Sequence, residues 1–325
     1  MTQSSDTSTP PIVTLTLNPC VDVSYDLPRL IEDQKVHATA NRYDPGGNGI
    51  NVARAFKHLH VPAHACCIVA GEIGNLLERL VAHELDYPHC LRIEGETRIN
   101  VTLLQQDPRA QFEVSGLGPP VSGFSLQEVI DEVLGLAGGG YVVLTGSLPP
   151  GVPKDIYATL VRELHLQSAH AVVDAQGEVL ARAVEERPFL IKPNRYELEQ
   201  LVGHSLPDLD AVIREACALQ SRGIDYVCVS LGGEGALLVD GEHTYHALPP
   251  PIEPCSTVGA GDSMVAGLIT ALARGEGPAE ALRLGLACGS GTASRPGTEL
   301  FDYNQMRDLL GRVEVARVTD CVTVE

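Results

Sequence analysis

The residue string STVGAGDSM at positions 256–264 has the composition expected of a site for phosphoryl transfer. Gly259 and Gly261 allow the backbone to turn sharply and to approach a ligand closely. The apolar helical run that follows would present unpaired N–H groups and the positive end of its dipole. The string therefore predicts an anion hole formed by Gly259, Ala260 and Gly261. Asp262 could be an ordinary helix cap, but beside such a hole we predict that it accepts a proton from an attacking hydroxyl.

A second glycine-rich helix start, PGGNGINVAR, occupies positions 45–54. It is neither a Walker loop nor the GxGxxG pattern of dinucleotide-binding folds, which argues against a nicotinamide-dependent oxidoreductase. Gly46 and Gly47 would let the backbone approach a small polyol, and the Asn51 amide offers both a donor and an acceptor. An ordinary glycine-rich turn is the alternative interpretation of these residues.

The string KPNRYE at positions 192–197 follows a short apolar run, so it falls at the carboxyl end of a predicted strand. Ligands of open α/β sheets bind at that edge. Asn194 and Glu197 lie three residues apart on one face of a helical turn and could hold a hydrated Mg2+ beside phosphates. The same two residues could instead form a capping box at a helix start.

Two further loops follow predicted strands. In TGSLPPG, at positions 145–151, Ser147 could bind a sugar or phosphate oxygen. In SLGGEG, at positions 230–235, the glycine-rich backbone could line a nucleotide pocket. Ordinary turns are the alternative for both loops, because Pro and Gly favour turns wherever they occur.

Short apolar runs alternate with helical patterns along the chain. The runs cover residues 12–17, 65–70, 141–145, 171–174, 189–191 and 226–230, and the helical patterns cover 49–59, 76–85, 126–136, 153–166 and 209–222. This alternation predicts an α/β fold in which a mostly parallel sheet is covered on both faces. Two extended segments, 35–43 and 98–114, have no helix to cover them, and the second has the pattern of a hairpin. They predict a small sheet that stands off the main one as a lid.

The composition excludes several classes of protein. With 44% hydrophobic residues, the 325-residue chain can build a large core. Its net charge of −19 argues against nucleic acid or an anionic membrane as the main partner. No stretch approaches the ~18 apolar residues of a membrane span. The polar first residues lack the pattern of a signal peptide, so we expect a disordered tail over 1–10 and one domain over 11–325.

Nine cysteines are scattered along the chain without the spacing of a metal site. Several lie in apolar runs, among them Cys66, Cys67 and Cys228, where we expect small buried hydrophobic side chains. This usage is typical of a reducing compartment and predicts a cytoplasmic protein.

Taken in order, six strings resemble those of the PfkB carbohydrate kinase family: TLTLNPCVDVSYDL, PGGNGINVARAFKHL, GSLPPG, KPNRYEL, VSLGGEGALLV and STVGAGDSMVAG. The resemblance covers nearly the whole chain after Pro11 and implies the ribokinase-like fold, a three-layer α/β/α sandwich with a mostly parallel central sheet and a small β-sheet lid. The implied reaction is ATP-dependent phosphorylation of fructose 6-phosphate to fructose 1,6-bisphosphate. The alternatives are a 1-phosphofructokinase, a tagatose-6-phosphate kinase, or a non-catalytic sugar-phosphate sensor, against which an intact Asp262 argues.

The resemblance also implies roles for individual residues. Asp262 would be the general base, and the anion hole would be Gly259, Ala260 and Gly261. Sugar hydroxyls would contact Asp22, Gly46, Gly47 and Asn51, and the sugar phosphate would contact Lys35, Arg98 and Ser147. ATP would contact Lys192, Asn194, Ser230, Gly232, Thr257 and Gly259, while Asn194 and Glu197 would hold Mg2+ through water. A monovalent cation, usually K+, would lie near Ser256, Val258, Thr292, Arg295 and Gly297.

The lid is expected over about residues 33–45 and 97–115, and the resemblance implies a homodimer formed through it. A closed lid could bring Lys35 and Arg98 together as a phosphate clamp, which would offset the negative charge of the chain. His37 lies where related kinases carry a second phosphate-binding arginine. Because an imidazole is mostly neutral at pH 7, this residue bears on which phosphosugar is bound.

Overall fold

Fourteen strands and ten α-helices make up residues 10–320, the part of the chain that the computed structural model describes. The strands are β1 (Ile12–Thr16), β2 (Cys20–Leu27), β3 (Ala40–Gly46), β4 (His64–Ala70), β5 (Tyr87–Ile93), β6 (Arg98–Gln105), β7 (Ala110–Ser115), β8 (Tyr141–Thr145), β9 (His170–Asp174), β10 (Leu190–Ile191), β11 (Tyr226–Ser230), β12 (Ala236–Val239), β13 (His243–Leu248) and β14 (Glu314–Asp320). The helices are α1 (Asn48–His58), α2 (Gly71–Glu84), α3 (Gly123–Ala137), α4 (Ile156–Leu166), α5 (Gly177–Glu185), α6 (Arg195–Val202), α7 (Leu209–Gln220), α8 (Ala260–Ala273), α9 (Pro278–Ala293) and α10 (Tyr303–Leu310).

The larger sheet has the spatial order β14-β13-β12-β11-β10-β9-β8-β1-β4-β5. The adjacent strands in this sheet pair in parallel over the part β11-β10-β9-β8-β1-β4-β5. The strands β12, β13 and β14 extend the sheet beyond β11 by antiparallel pairing. β1 and β8 are buried at every position, as expected of continuous apolar runs covered on both faces. One face packs against α3 to α7 and the other against α1, α8, α9 and α10. The predicted three-layer α/β/α sandwich is therefore confirmed.

The smaller sheet, the lid, has the order β3-β2-β6-β7. Because side chains alternate along a strand, its two faces differ in chemistry. On one face, Asp22 of β2 lies beside Asn100 of β6. On the opposite face, Val21 and Val23 pack into a core with α1 and α2. The lid thus has one polar face, and its opposite, apolar face packs against α1 and α2 of the main body.

The predicted hairpin over residues 98–114 is confirmed as β6 and β7. The predicted strand over 35–43 is wrong at its start, because β3 begins only at Ala40. Pairing of β3 with β2 ends where Asp26 meets Ala40, and Pro28 follows just beyond β2. The Thr39 N–H still donates to the Asp26 carbonyl, but residues 33–38 have no strand to pair with. The sequence pattern also misses β2, β5 and β14.

Other predictions have outcomes of their own. The predicted tail over residues 1–10 lies outside the described residues except for Pro10. Cys66, Cys67 and Cys228 are buried free thiols, as predicted. Within residues 10–320, no helix combines the length and apolar character needed to cross a membrane.

Candidate active site

The first turn of α8 holds Asp262 where the string at positions 256–264 predicts it. Gly259 precedes the helix with a φ of +75°, in the left-handed region that glycine adopts without strain, and no side chain caps the helix. Asp262 is 4% exposed. Its two carboxylate oxygens accept hydrogen bonds of 3.0 Å each from the amide nitrogens of Asn48 and Asn51. The carboxylate is therefore held by two side chains of α1, and it does not cap its own helix.

The surroundings of Asp262 make it a stronger base than an ordinary carboxylate. Burial raises its pKa to about 7, and the negative charge of Asp174 acts in the same direction. The amides of Asn51 and Asn48 and the ammonium of Lys192 act in the opposite direction. A carboxyl group tuned close to neutral pH is suited to accept a proton from an alcohol.

Lys192 places a buried positive charge opposite the start of α8. Its Nζ lies 3.2 Å from Oδ1 of Asp174, at the end of β9. Burial lowers the pKa of this ammonium, but the carboxylates of Asp174 and Glu197 outweigh burial and raise it overall. A methyl group on Gly261 would lie 3.3 Å from Nζ. A side chain at position 261 would therefore crowd the space between Lys192 and the uncapped helix start, and this space suits an anion.

The glycine turn before α1 brings the lid to the same place. A side chain on Gly46 would overlap the carboxylate of Asp22, so this position requires glycine. Gly47 has a φ of +117° and directly precedes α1, which carries Asn51. Asp22 accepts hydrogen bonds from Cys20 Sγ and Asn100 Nδ2, and burial raises the pKa of its carboxyl. The predicted sugar contacts therefore lie around one turn of backbone.

Arg98 and Ser147 are brought together by a residue that the sequence reasoning missed. Nε and Nη2 of Arg98 donate to the backbone oxygen of Asn18, at 3.1 and 2.9 Å. The amide of Asn18 donates to Ser147 Oγ at 3.0 Å. Asn100, also missed, accepts from Arg98 Nη1 at 3.3 Å. The two predicted phosphate contacts thus belong to one polar network, which joins Arg98 on the lid to the loop after β8.

Lys35 does not join this network. It is exposed, in the irregular segment before β3, and no hydrogen bond or ion pair of its side chain is found within residues 10–320. His37 is exposed in the same segment. The structure does not form the predicted clamp of Lys35 and Arg98, because the strand that would carry Lys35 starts later.

Asn194 and Glu197 form a complete capping box at the start of α6. The Asn194 side chain accepts from the Glu197 N–H at 2.9 Å, and Glu197 Oε2 accepts from the Asn194 N–H at 2.8 Å. This is the structural alternative that the sequence left open. Each oxygen retains a further lone pair, so a contact with Mg2+ through water remains compatible with the box.

The predicted nucleotide contacts lie at the carboxyl edge of the large sheet. Ser230 ends β11 and bridges to Asn194. Gly232 has a φ of +60° and opens a short 3-10 turn, where glycine is favoured. Thr257 is exposed, and its carbonyl accepts from the Ala260 N–H. These loops and the start of α8 follow strands of the same sheet.

Only some of the residues predicted to lie near a monovalent cation are close to one another in the structure. The Ser256 N–H donates to the Ala293 carbonyl, next to Thr292. However, Thr292 Oγ1 already bonds Ser263 Oγ at 2.7 Å and accepts from the Phe301 N–H at 3.0 Å. The guanidinium of Arg295 pairs with Glu299 and cannot ligate a cation.

Asp174 and Asn48 are the other participants that sequence reasoning missed. Asp174 is the last residue of a predicted strand, so the rule that ligands bind at carboxyl ends could have found it. Asn48 lies inside the second glycine-rich string, but its contact with Asp262 spans 214 residues. Nothing local in the sequence indicates that pairing.

Comparison with known proteins agrees with this geometry. The sequence matches the model of the pfkB family carbohydrate kinases over residues 11–303. A 1-phosphofructokinase of Bacillus subtilis (strain 168) is 36% identical over 313 residues, 94% of this chain and 100% of the relative. The ATP-dependent 6-phosphofructokinase isozyme 2 of Escherichia coli (strain K12) is 34% identical over 300 residues, 92% of this chain and 97% of the relative.

A solved structure extends the likeness to three dimensions. The crystal structure of phosphofructokinase-2 from Escherichia coli in complex with potassium matches with a TM-score of 0.89 at 34% identity. The match covers 93% of this chain and 98% of that one. The predicted ribokinase-like architecture is thereby confirmed. The chain belongs to the pfkB family of carbohydrate kinases and is an ATP-dependent sugar-phosphate kinase.

Proposed function

We propose that this kinase transfers the γ-phosphoryl group of ATP to the free primary hydroxyl of fructose 6-phosphate, giving fructose 1,6-bisphosphate and ADP. One observation carries the proposal. Asp262 is buried between two amide donors at an uncapped helix start, facing Lys192, and its pKa is about 7. A base of that strength beside an anion hole is what transfer to an alcohol requires.

Asp262 accepts the proton of the attacking hydroxyl. Asn48 and Asn51 hold the carboxylate at two points, so the base keeps its direction while substrate binds. The N–H groups at the start of α8, with Gly259, Ala260 and Gly261, stabilise the negative charge of the transferring group. On the other side of the transferring group, Lys192 neutralises part of that negative charge, and Asp174 holds Lys192 in place. Closure of the lid excludes water, which would otherwise compete as the acceptor.

The sugar phosphate lies under the polar face of the lid. Asp22, Gly46, Gly47 and Asn51 contact its hydroxyls, and Asp22 is suited to this because Asn100 holds its carboxylate. Arg98 and Ser147 contact its phosphate from either side of Asn18. Lys35 reaches the phosphate only if the exposed segment before β3 folds over the site. These contacts place the reacting hydroxyl towards Asp262.

The residues present fit ATP and a divalent metal. The gap between Gly261 and Lys192 would be narrowed by any side chain at position 261. Lys192, Asn194, Ser230, Gly232, Thr257 and Gly259 bind the nucleotide, and Asn194 and Glu197 hold Mg2+ through water. When bound, Mg2+ neutralises charge that develops on the phosphates. K+ is proposed as a further ion, held by backbone oxygens near Ser256, Val258, Thr292, Arg295 and Gly297.

Fructose 1-phosphate is the second candidate acceptor, and it is favoured by a specific observation: a relative that is 36% identical is named 1-phosphofructokinase. Fructose 6-phosphate is favoured by the likeness to 6-phosphofructokinase isozyme 2. His37 lies where related kinases carry a phosphate-binding arginine. This position of the lid would therefore help to discriminate between a phosphate on carbon 1 and one on carbon 6 of the sugar. Tagatose 6-phosphate is the remaining sugar to test.

A substrate panel tests the proposal. ADP release from Mg-ATP is measured with fructose 6-phosphate, fructose 1-phosphate and tagatose 6-phosphate, for the wild type and for Asp262→Asn. The highest kcat/KM with fructose 6-phosphate, lost in Asp262→Asn, supports the proposal. Preference for another of these sugars overturns the acceptor and keeps the kinase. Binding of all ligands without turnover would instead favour a sugar-phosphate sensor.

We also propose that the chain forms a homodimer through the lid. Tyr43, Phe112 and Val114 lie on exposed strand positions of the lid, with Val114 61% exposed. They lie on β3 and β7, the two edge strands of the lid, where unpaired strand edges and exposed apolar side chains favour contact with another chain. Phe112→Asp is expected to shift the sedimentation coefficient to that of a monomer. Phe124→Asp, at an exposed phenylalanine on α3, is the matched control and should leave the assembly unchanged.

A cytoplasmic location is proposed on the cysteines. Cys66, Cys67 and Cys228 are free and buried, which fits a reducing compartment. Fractionation of cells that produce the protein, with a cytoplasmic enzyme as marker, tests this location. Recovery of the activity with a membrane or extracellular marker would contradict it.

A further inference from the structure

A cavity of about 420 Å3 lies beside α1. It is bounded by β3, α1, the end of α2 and the segment after α9. Its lining residues are Arg42, Arg54, Lys57, His58, His83, Glu84, Arg295, Glu299 and Leu300. None of the residues proposed to contact sugar or ATP lines it. Its volume is within the range of sites for small ligands.

The lining is basic in a chain that is strongly acidic. Four arginine or lysine side chains and two histidines face two glutamates, whereas the whole chain carries a net charge of −19. Two further carboxylates, those of Asp44 and Asp86, pair with Arg42 and Lys57 from outside the lining. Asp86 is exposed, so solvent weakens its hold on Lys57. With these carboxylates included, the region of the cavity is close to neutral, whereas the chain as a whole is strongly acidic.

Arg54 gives the cavity a fixed donor. Its side chain is 7% exposed, and its Nε pairs with Glu84. Its Nη1 donates to Asn51 Oδ1 at 3.3 Å. A buried guanidinium held at two atoms is oriented before any ligand arrives, which lowers the cost of binding. This wall of the cavity is therefore formed by a side chain with a fixed orientation.

Donors at the opposite wall exceed the acceptors that face them. Glu299 is shared by two guanidinium groups, with Arg42 Nη1 at 2.7 Å and Arg295 Nη2 at 2.9 Å. Nε of Arg295 is buried and has no hydrogen-bond partner within residues 10–320. A buried donor without an acceptor is costly, and a ligand oxygen would satisfy it. The unsatisfied donor thus indicates an anionic occupant.

We propose that this cavity binds a small phosphate-bearing anion other than the sugar substrate and ATP. Guanidinium groups recognise phosphate by paired hydrogen bonds, and Lys57 adds a point charge at the rim. The cavity is connected to catalysis through two hydrogen bonds. Arg54 donates to Asn51, and Asn51 donates to Asp262. Occupation of the cavity is therefore felt at the residue that orients the catalytic base.

Titration calorimetry with pyrophosphate tests the proposal at constant ionic strength. The parent protein carries Arg98→Gln and is saturated with ADP, so that the proposed sugar-phosphate and nucleotide sites do not take the probe. One remaining site is expected. Adding Lys57→Gln and His83→Gln should weaken it at least tenfold. Adding Lys154→Gln, which removes one charge from an exposed pair with Glu178, is the matched control and should leave it unchanged.

Each other outcome overturns the proposal. The absence of pyrophosphate binding with a Kd of about 1 mM or tighter would mean that the cavity has no such ligand. Equal affinity with and without the Lys57 and His83 substitutions would place the site elsewhere. Equal weakening by Lys154→Gln would reveal only general attraction to positive charge. Thermal unfolding of every variant checks that the altered proteins are folded.

Discussion

Helices α6 and α8 both begin with an acidic residue at their third position, and they use it in opposite ways. At α6, Glu197 turns back to the Asn194 N–H, and Asn194 caps the Glu197 N–H in return. At α8, no side chain caps the helix. Asp262 turns away from its own backbone towards Asn48 and Asn51 on α1. One helix start is closed by its own side chains, and the other is left open.

The difference separates a structural acid from a functional one. A cap is worth about 1 kcal/mol of stability, so the uncapped, half-buried start of α8 forgoes a common source of stability. In return, the first N–H groups of α8 stay free to meet an anion, and Asp262 stays free to take a proton. Residue type and spacing alone do not distinguish the two cases. The direction of the carboxylate does.

Replacing Asp262 should have the largest effect. Asp262→Asn removes the proton acceptor while keeping an amide of the same shape, so we expect kcat to fall by about 10² to 10⁴. Steady-state assays with the preferred sugar, and circular dichroism for the fold, measure this. A variant that keeps more than a tenth of wild-type kcat would mean that the open helix start does not carry a base.

Filling the open helix start should have the next largest effect. Gly261→Ala adds a methyl 3.3 Å from Lys192 Nζ, and we expect kcat to fall about tenfold, ~1.4 kcal/mol in barrier. Stability should not fall, because alanine suits a helix better than glycine. Gly135→Ala, in α3 with open space around the added methyl, is the matched control. Unchanged kcat in Gly261→Ala would show that the gap is not used.

Substitution of Glu197 at the capped start of α6 should have a smaller effect, and we expect it in the Mg2+ requirement and not in kcat. Glu197→Gln keeps an acceptor for the Asn194 N–H but removes the charge, so we expect stability within about 0.5 kcal/mol of wild type. The Mg2+ concentration for half-maximal activity should rise several-fold, by loss of attraction through water. Glu197→Ala should cost about 1 kcal/mol of unfolding free energy. An unchanged Mg2+ requirement in Glu197→Gln would leave α6 with a structural role alone.

The pH dependence of stability should report the burial of Asp262. Burial raises the pKa of Asp262 to about 7, so the folded protein keeps this proton over a range in which the unfolded chain has lost it. Stability therefore falls as pH rises through that range, and the ionised group opposes folding above it. We expect Asp262→Asn to melt about 2 °C or more above wild type at pH 8, with a smaller difference near pH 4. A difference independent of pH would contradict this.

Local patterns were sufficient to predict much of the molecule. The alternation of short apolar runs with helical patterns predicted the parallel strands, and the continuous apolar character of the runs agrees with burial on both faces. The string around Gly259 predicted the open start of α8, because its glycines permit the turn that the helix needs. In the same way, the alternation of residues 98–114 predicted the lid hairpin. Each of these features depends on residues close together in sequence.

The remaining features depend on pairing between distant residues. Asn51 was predicted to contact sugar, yet its amide is also held between Arg54 and Asp262. Asn18 was not singled out, although it joins Arg98 to Ser147. The segment with Lys35 was predicted as strand from its own pattern, but its extent is set by the length of β2. Contacts of this kind follow from topology, which local composition does not determine.

The pH dependence of kcat/KM tests the central claim most directly, with wild type and Asn48→Ala measured side by side. The account predicts an acidic limb near pH 7 in wild type, because Asp262 must be ionised to accept the proton. Asn48 lowers the pKa of Asp262, so its removal should move this limb to higher pH. Titration of the substrate phosphate, near pH 6, would be the same for both proteins. Identical limbs in the two proteins, or no limb between pH 5 and 9, would contradict the assignment of Asp262 as the base.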